Sequence, residues 1–117
     1  MRHRKGIKKL GKPTDQRLAL LKSLAKALFT YNKIETTDTR AKEVKRFVEK
    51  LITCAKSNAL PNKRKVQALV QDRELVKKIF NDYGKKFEKR NGGYTRIIKK
   101  GYRKGDGALV SVLEFVS

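Results

Sequence analysis

From Leu18 to Phe87 the apolar residues recur at three- and four-residue steps, and beyond Asn91-Gly92-Gly93 they give way to two β-prone runs. That change of pattern confines the chain to a series of amphipathic helices followed by a strand pair. A 3.6-residue repeat gathers apolar groups on one helix face, whereas alternation gathers them on one sheet face.

The helical stretch divides at its punctuation. Pro13 and Thr14 precede a first helix expected over roughly 15–31, with Leu18, Leu21, Ala25, Leu28 and Phe29 on its apolar face and Arg17, Lys22 and Lys26 elsewhere. Lys33-Ile34-Glu35-Thr36-Thr37, bounded by Asn32 and Asp38, reads as a brief strand. A second helix follows, capped by Thr37 or Asp38, with the stripe Ala41, Val44, Val48, Leu51, Ile52 and Ala55, and it should end near Ser57 and Asn58. Leu60-Pro61-Asn62 breaks the pattern, and Val66, Leu69 and Val70 suggest a shorter third helix. Asp72 then opens a fourth that carries Leu75, Val76, Ile79, Phe80 and Tyr83, with Gly84 as the expected stop and Phe87 as the anchor of one more turn.

In the last quarter, Tyr94 to Tyr102 and Ala108 to Val116 flank the turn Lys104-Gly105-Asp106-Gly107, a hairpin in outline. Leu109, Ser111, Leu113 and Phe115 share one face of the final strand, the face expected to lean on the helices, and Val110, Val112 and Glu114 share the other.

Charge sets the class of partner. Thirty-one lysines and arginines stand against eleven acids in 117 residues, a formal net charge of +20. Such a chain repels itself unless a polyanion neutralises it, and nucleic acid is the usual one. The surplus is not confined to a tail, since 38% of residues are hydrophobic and a core of this length buries about two-thirds of the unfolded surface. Residues 1–13 carry Arg2, Arg4, Lys5, Lys8, Lys9 and Lys12 with no acid, and read as an arm that orders against phosphate; residues 14–117 read as one globular domain. No run of eighteen apolar residues and no signal-peptide core is present, so a soluble, cytoplasmic protein is expected.

Catalysis finds no constellation. His3, the only histidine, sits among Arg2, Arg4 and Lys5, whose charge disfavours its protonated form, and suits stacking or hydrogen bonding to RNA better than base chemistry. Cys54, the only cysteine, flanks a buried stripe and excludes an internal disulfide. One Cys and one His cannot fill a zinc site, so no metal or other cofactor is expected. The carboxylates alternate with cations at helical spacing, as surface ion pairs do, and the glycine pairs lack the Gly-Lys-Ser/Thr ending of a nucleotide loop. What remains is a second basic cluster from Lys85 to Lys104, interleaved with Tyr94 and Tyr102. Arginine forks suit phosphate, and each tyrosine could either stack on an unpaired base or pack into the hairpin's core.

Several strings, in order and spacing, resemble one family: Met1-Arg2-His3-Arg4-Lys5, Ile34-Glu35-Thr36-Thr37 followed by Ala41-Lys42-Glu43, Leu51-Ile52-Thr53, Asn62-Lys63-Arg64, Gly92-Gly93-Tyr94-Thr95-Arg96-Ile97 and Gly101-Tyr102-Arg103. They look like bacterial large-subunit ribosomal protein seventeen, essentially end to end. The resemblance implies an α+β fold, a two-layer α/β domain with about four helices on a small mixed three-stranded sheet and a basic N-terminal extension. It also implies a non-enzymatic role near the polypeptide exit, with large-subunit ribosomal RNA and large-subunit proteins twenty-two and thirty-two as partners. The RNA-contact candidates are then Arg2, His3, Arg4, Lys5, Lys8, Lys9, Lys12 and Arg17, and in the hairpin Tyr94, Thr95, Arg96, Lys99, Arg103 and Lys104. Lysine predominates in the arm after residue 5, and lysine is a point charge without the bidentate fork. The rivals are a DNA-compacting architectural protein, which lacks an evident groove-reading helix or wedge, and a magnesium nuclease, which lacks a paired-carboxylate cluster.

Overall fold

The computed structural model describes residues 14–57 and 59–116; the arm lies outside them. In chain order the elements are α1 (Thr14–Tyr31), β1 (Lys33–Thr37), α2 (Asp38–Ala55), α3 (Leu60–Val70), α4 (Arg73–Lys78), a π-helical turn (Ile79–Tyr83), the single turn α5 (Gly84–Lys86), β2 (Thr95–Tyr102) and β3 (Leu109–Phe115). The fold is α+β. Its sheet has the order β1-β3-β2 and is antiparallel throughout, not mixed as expected. β1 and β2 do run the same way, but β3 lies between them and pairs with each in the opposite sense.

α2 is the central helix, touching all three strands on one side and α3 and the π-helical turn on another. The whole predicted stripe of α2 is buried, from Ala41 to Ala55. Facing it are Ser111, Leu113 and Phe115 of β3, the face that the alternation of that strand predicts. Phe115 closes an aromatic cluster, its ring centroid 5.4 Å from Phe29 and 4.5 Å from Tyr83. The Tyr83 hydroxyl donates to the Phe29 carbonyl at 2.9 Å, which keeps a buried polar group satisfied.

Five local expectations change. Leu18 is 44% exposed because the covered part of α1 begins at Leu21, and Leu69 is 41% exposed on the outer side of α3, whose buried residues are Val66 and Val70. Pro61 starts α3 instead of interrupting it, since the first helical turn has no use for the missing N–H. Asp38 does not cap α2; its carboxylate accepts from the Ser111 hydroxyl at 2.8 Å and pairs with Lys42 at 3.1 Å, tying helix to sheet. The Ser111 hydrogen bond, with help from Lys42, holds the Asp38 carboxyl below its ordinary range. Gly84 is not a stop either. It is helical, with φ −60° and ψ −40°, and a Cβ there would lie 2.6 Å from the carbonyl oxygen of Ala55, so the glycine lets this helix press on the end of α2. By contrast Asp72 caps α4 as expected, accepting from the Leu75 N–H at 3.2 Å.

Candidate nucleic-acid interface

The hairpin is fixed to the helices at its base. One carboxylate oxygen of Glu49 accepts the Thr95 N–H at 2.9 Å and the Thr95 hydroxyl at 2.8 Å, and Lys45 donates to the Thr95 carbonyl at 3.0 Å. Burial pushes the Glu49 carboxyl up, but the hydrogen bonds from Thr95 and the charge of Lys45 together hold it below its ordinary value. Next to this clasp, Tyr94 is 1% exposed, its ring 5.2 Å from Phe87 and its hydroxyl 3.1 Å from the Thr53 hydroxyl. Lys56 lies over the Tyr94 ring and also donates to the Tyr94 hydroxyl. Tyr94 and Thr95 are therefore buried at the base of the hairpin, the core alternative that the sequence left open for Tyr94.

Further along β2 the cations come to the surface. Arg96 stands opposite Glu114 on the sheet face turned away from α2 and meets its carboxylate at 2.6 and 2.7 Å. Lys100 occupies a bulge between Lys99 and Gly101 and reaches across that face to Glu35 on β1. Gly101 has φ +138°, a conformation that favours glycine, and permits the bulge. The outer sheet face is thus closer to charge balance than the run of basic residues implied. At the hairpin tip Arg103 forms a two-pronged pair with Asp106 at 3.0 and 2.6 Å, while Asp106 also accepts the Ala108 N–H at 3.1 Å. The guanidinium beside Asp106 holds that carboxyl well below the carboxylate range, and Arg103 is raised in turn. Arg103 thus braces its own turn.

Lys99 and Lys104 are exposed, as is Tyr102, 77% accessible beside the tip. Of the two tyrosines interleaved with the basic cluster, Tyr102 is the exposed one. The signal was the alternation of the strand, which the bulge resets between Tyr94 and Tyr102. Arg17 is half-buried on α1, and its Nε is enclosed with no hydrogen-bond partner among the described residues. Arg2, His3, Arg4, Lys5, Lys8, Lys9 and Lys12 lie outside the described residues. Cys54 is half-buried, its Sγ 3.7 Å from the Asn62 carbonyl, a small core-edge residue. Among the described residues no helix is long and apolar enough to cross a membrane.

The hairpin is thus a strand clasped at one end, with arginines and lysines carried outward along it. Comparison with known proteins gives it a lineage: the family model described as Ribosomal protein L17 matches residues 20–116, all but the first few residues of the folded part. The chain belongs to the ribosomal protein L17 family. It is 56% identical over 116 residues to large ribosomal subunit protein bL17 of Dictyoglomus thermophilum, covering 99% of this chain and 100% of that one. It is 51% identical over 111 residues to the bL17 of Clostridium beijerinckii, covering 95% and 98%. The bL17 of Fusobacterium nucleatum is 47% identical over 116 residues, covering 99% and 100%. As a member of the L17 family the chain is a structural ribosomal protein and not an enzyme.

Proposed function

We propose that this chain, a structural constituent of the large ribosomal subunit in the cytoplasm, binds and stabilises folded ribosomal RNA near the polypeptide exit. Large-subunit proteins twenty-two and thirty-two are its proposed protein neighbours. The observation that carries this reading is a net charge of +20 on a chain of the L17 family. The mechanism is counterion displacement combined with shape: lysines and arginines neutralise phosphates, while the rigid hairpin fixes where those charges stand. Residues 1–13 act as an arm that orders on contact with RNA, and residues 14–117 as the domain that positions it. Within the hairpin, Lys99, Lys104 and Arg96 face phosphate, Tyr102 stacks, and Arg103 holds the tip. Contact with about six to ten phosphates weakens binding by on the order of a thousandfold between low and moderate salt.

Ultraviolet crosslinking in growing cells, with sequencing of the attached nucleic acid and mapping of crosslinked peptides, tests the proposal. Crosslinks should concentrate in large-subunit ribosomal RNA through the arm and the hairpin. Dispersed genomic DNA fragments would overturn it in favour of an architectural DNA-binding role.

A further inference from the structure

We propose that the hollow between α3, α4 and the π-helical turn is a second RNA site, which seats one unstacked nucleotide; this rests on the reading of the chain as RNA-binding. The hollow measures about 430 Å³, within the range of pockets that take a small ligand. α3 packs chiefly on α2 and α4, and α4 on the π-helical turn, α3 and α1, with the sheet a main partner of neither, so this surface is separate from the hairpin.

Its chemistry is divided in a way that suits a nucleotide. Lys63, Arg73 and Lys77 stand on the rim, and no acid lines the hollow. Among the described residues these three cations make no hydrogen bond or ion pair, unlike Arg96 and Arg103, which are occupied by Glu114 and Asp106. They are available to phosphate without first giving up a partner. Gln67 and Asn81 contribute amides whose side chains are equally unengaged, each with a donor and an acceptor that can meet a base edge. The floor is Val76 and Phe80, 9% and 7% exposed, an apolar bottom that the edge of a base can meet. The four-residue spacings Lys63/Gln67 on α3 and Arg73/Lys77/Asn81 across α4 and the π-helical turn place these groups on two facing rims.

The hollow also has an exit. Phe80 and Asn81 line a second, smaller hollow of about 180 Å³ that carries Lys85, with Glu88 as its one acid, while Lys56 on the same lining is held by the Tyr94 hydroxyl and the Arg90 carbonyl. A nucleic acid strand leaving the first hollow therefore passes Lys85. An acidic peptide would satisfy the rim cations but has no use for an aromatic floor flanked by amides, so RNA is the occupant these groups favour.

The test uses the full-length protein and an in vitro transcript of large-subunit ribosomal RNA. Binding is measured against salt, with nucleotide-resolution chemical probing and mapping of ultraviolet-crosslinked peptides. Three variants, checked for folding by circular dichroism, are compared. One is Lys63→Gln/Arg73→Gln/Lys77→Gln, one the uncharged pair Gln67→Ala/Asn81→Ala, and one Lys22→Gln/Lys26→Gln/Lys33→Gln, with the same charge loss elsewhere. The wild type should crosslink through residues 73–81 and protect one unpaired nucleotide. The groove triple should weaken binding about tenfold or more and lower the salt slope by about two. The uncharged pair should lose that nucleotide's protection with the salt slope unchanged. Equal effects of the two triples, with no groove crosslink while arm or hairpin crosslinks persist, overturn the groove and leave the RNA reading standing. A groove crosslinked to protein in purified subunits also overturns it. Failure of the wild type to bind the transcript sinks the RNA reading itself, and the groove with it.

Discussion

Glu49 on α2 and Thr95 at the start of β2 are joined by two hydrogen bonds to a single carboxylate oxygen, at 2.9 and 2.8 Å. Both donors are buried with Thr95, so removing the acceptor leaves an N–H and a hydroxyl without a partner. Glu49→Ala should lower stability by about 2–3 kcal/mol in urea unfolding, the range for losing hydrogen bonds to a charged group. A loss indistinguishable from zero would mean that water replaces the clasp and the hairpin is held by packing alone.

The same carboxylate gives the fold an acid limit. Its folded pKa lies below the ordinary value of 4.5, so the clasp contributes in full above that pH and its contribution is lost as pH falls through the depressed value. Wild-type stability should therefore drop more steeply below about pH 4.5 than that of Glu49→Gln, which has no proton to gain at that position. Parallel pH profiles for the two proteins would contradict the assignment.

Replacing a helical glycine with alanine normally stabilises, by up to about 1 kcal/mol. Gly84→Ala should do the reverse. The new methyl would meet the backbone oxygen of Ala55 at 2.6 Å, and backbone on both sides must move apart, at a cost of about 1–3 kcal/mol before the propensity gain. A melting temperature at or above the wild type's would show that α2 and α5 separate easily.

Arg96 and Glu114 form an exposed pair, and such pairs contribute less than about 1 kcal/mol. Arg96→Glu should melt close to the wild type yet incorporate poorly into large subunits, measured by sedimentation and quantitative mass spectrometry. Clear thermal destabilisation with normal incorporation would make Arg96 a structural residue.

Among the described residues the buried core extends from Leu21 to Phe115. Deletion of residues 2–12 should leave the cooperative unfolding transition in place and sharply reduce affinity for large-subunit RNA. Unfolding on that deletion would refute the division into arm and domain.

The helices and the hairpin were legible because their signals are local: the stripe of α2, the cap at Asp72 and the alternation of Ser111, Leu113 and Phe115 all survive in the fold. What sequence could not supply was which part of each stripe another element covers, so Leu18 and Leu69 fit the helical period and yet face outward. Gly84 reads as punctuation until its neighbour Ala55, twenty-nine positions earlier, is in place. For the interface, charge counted along the chain overstated the hairpin. Arg96, Lys100 and Arg103 have acids in register or across the turn, whereas Lys63, Arg73 and Lys77 come together only when α3 folds against α4.

Because β3 lies between β1 and β2, the sheet has no two strands that can pair until its last element has been synthesised. During translation, β1 therefore waits through the whole of α2, α3 and α4 with its edges unmatched. The closing event is the arrival of the residues around Leu113, which supply the partner for both waiting strands at once.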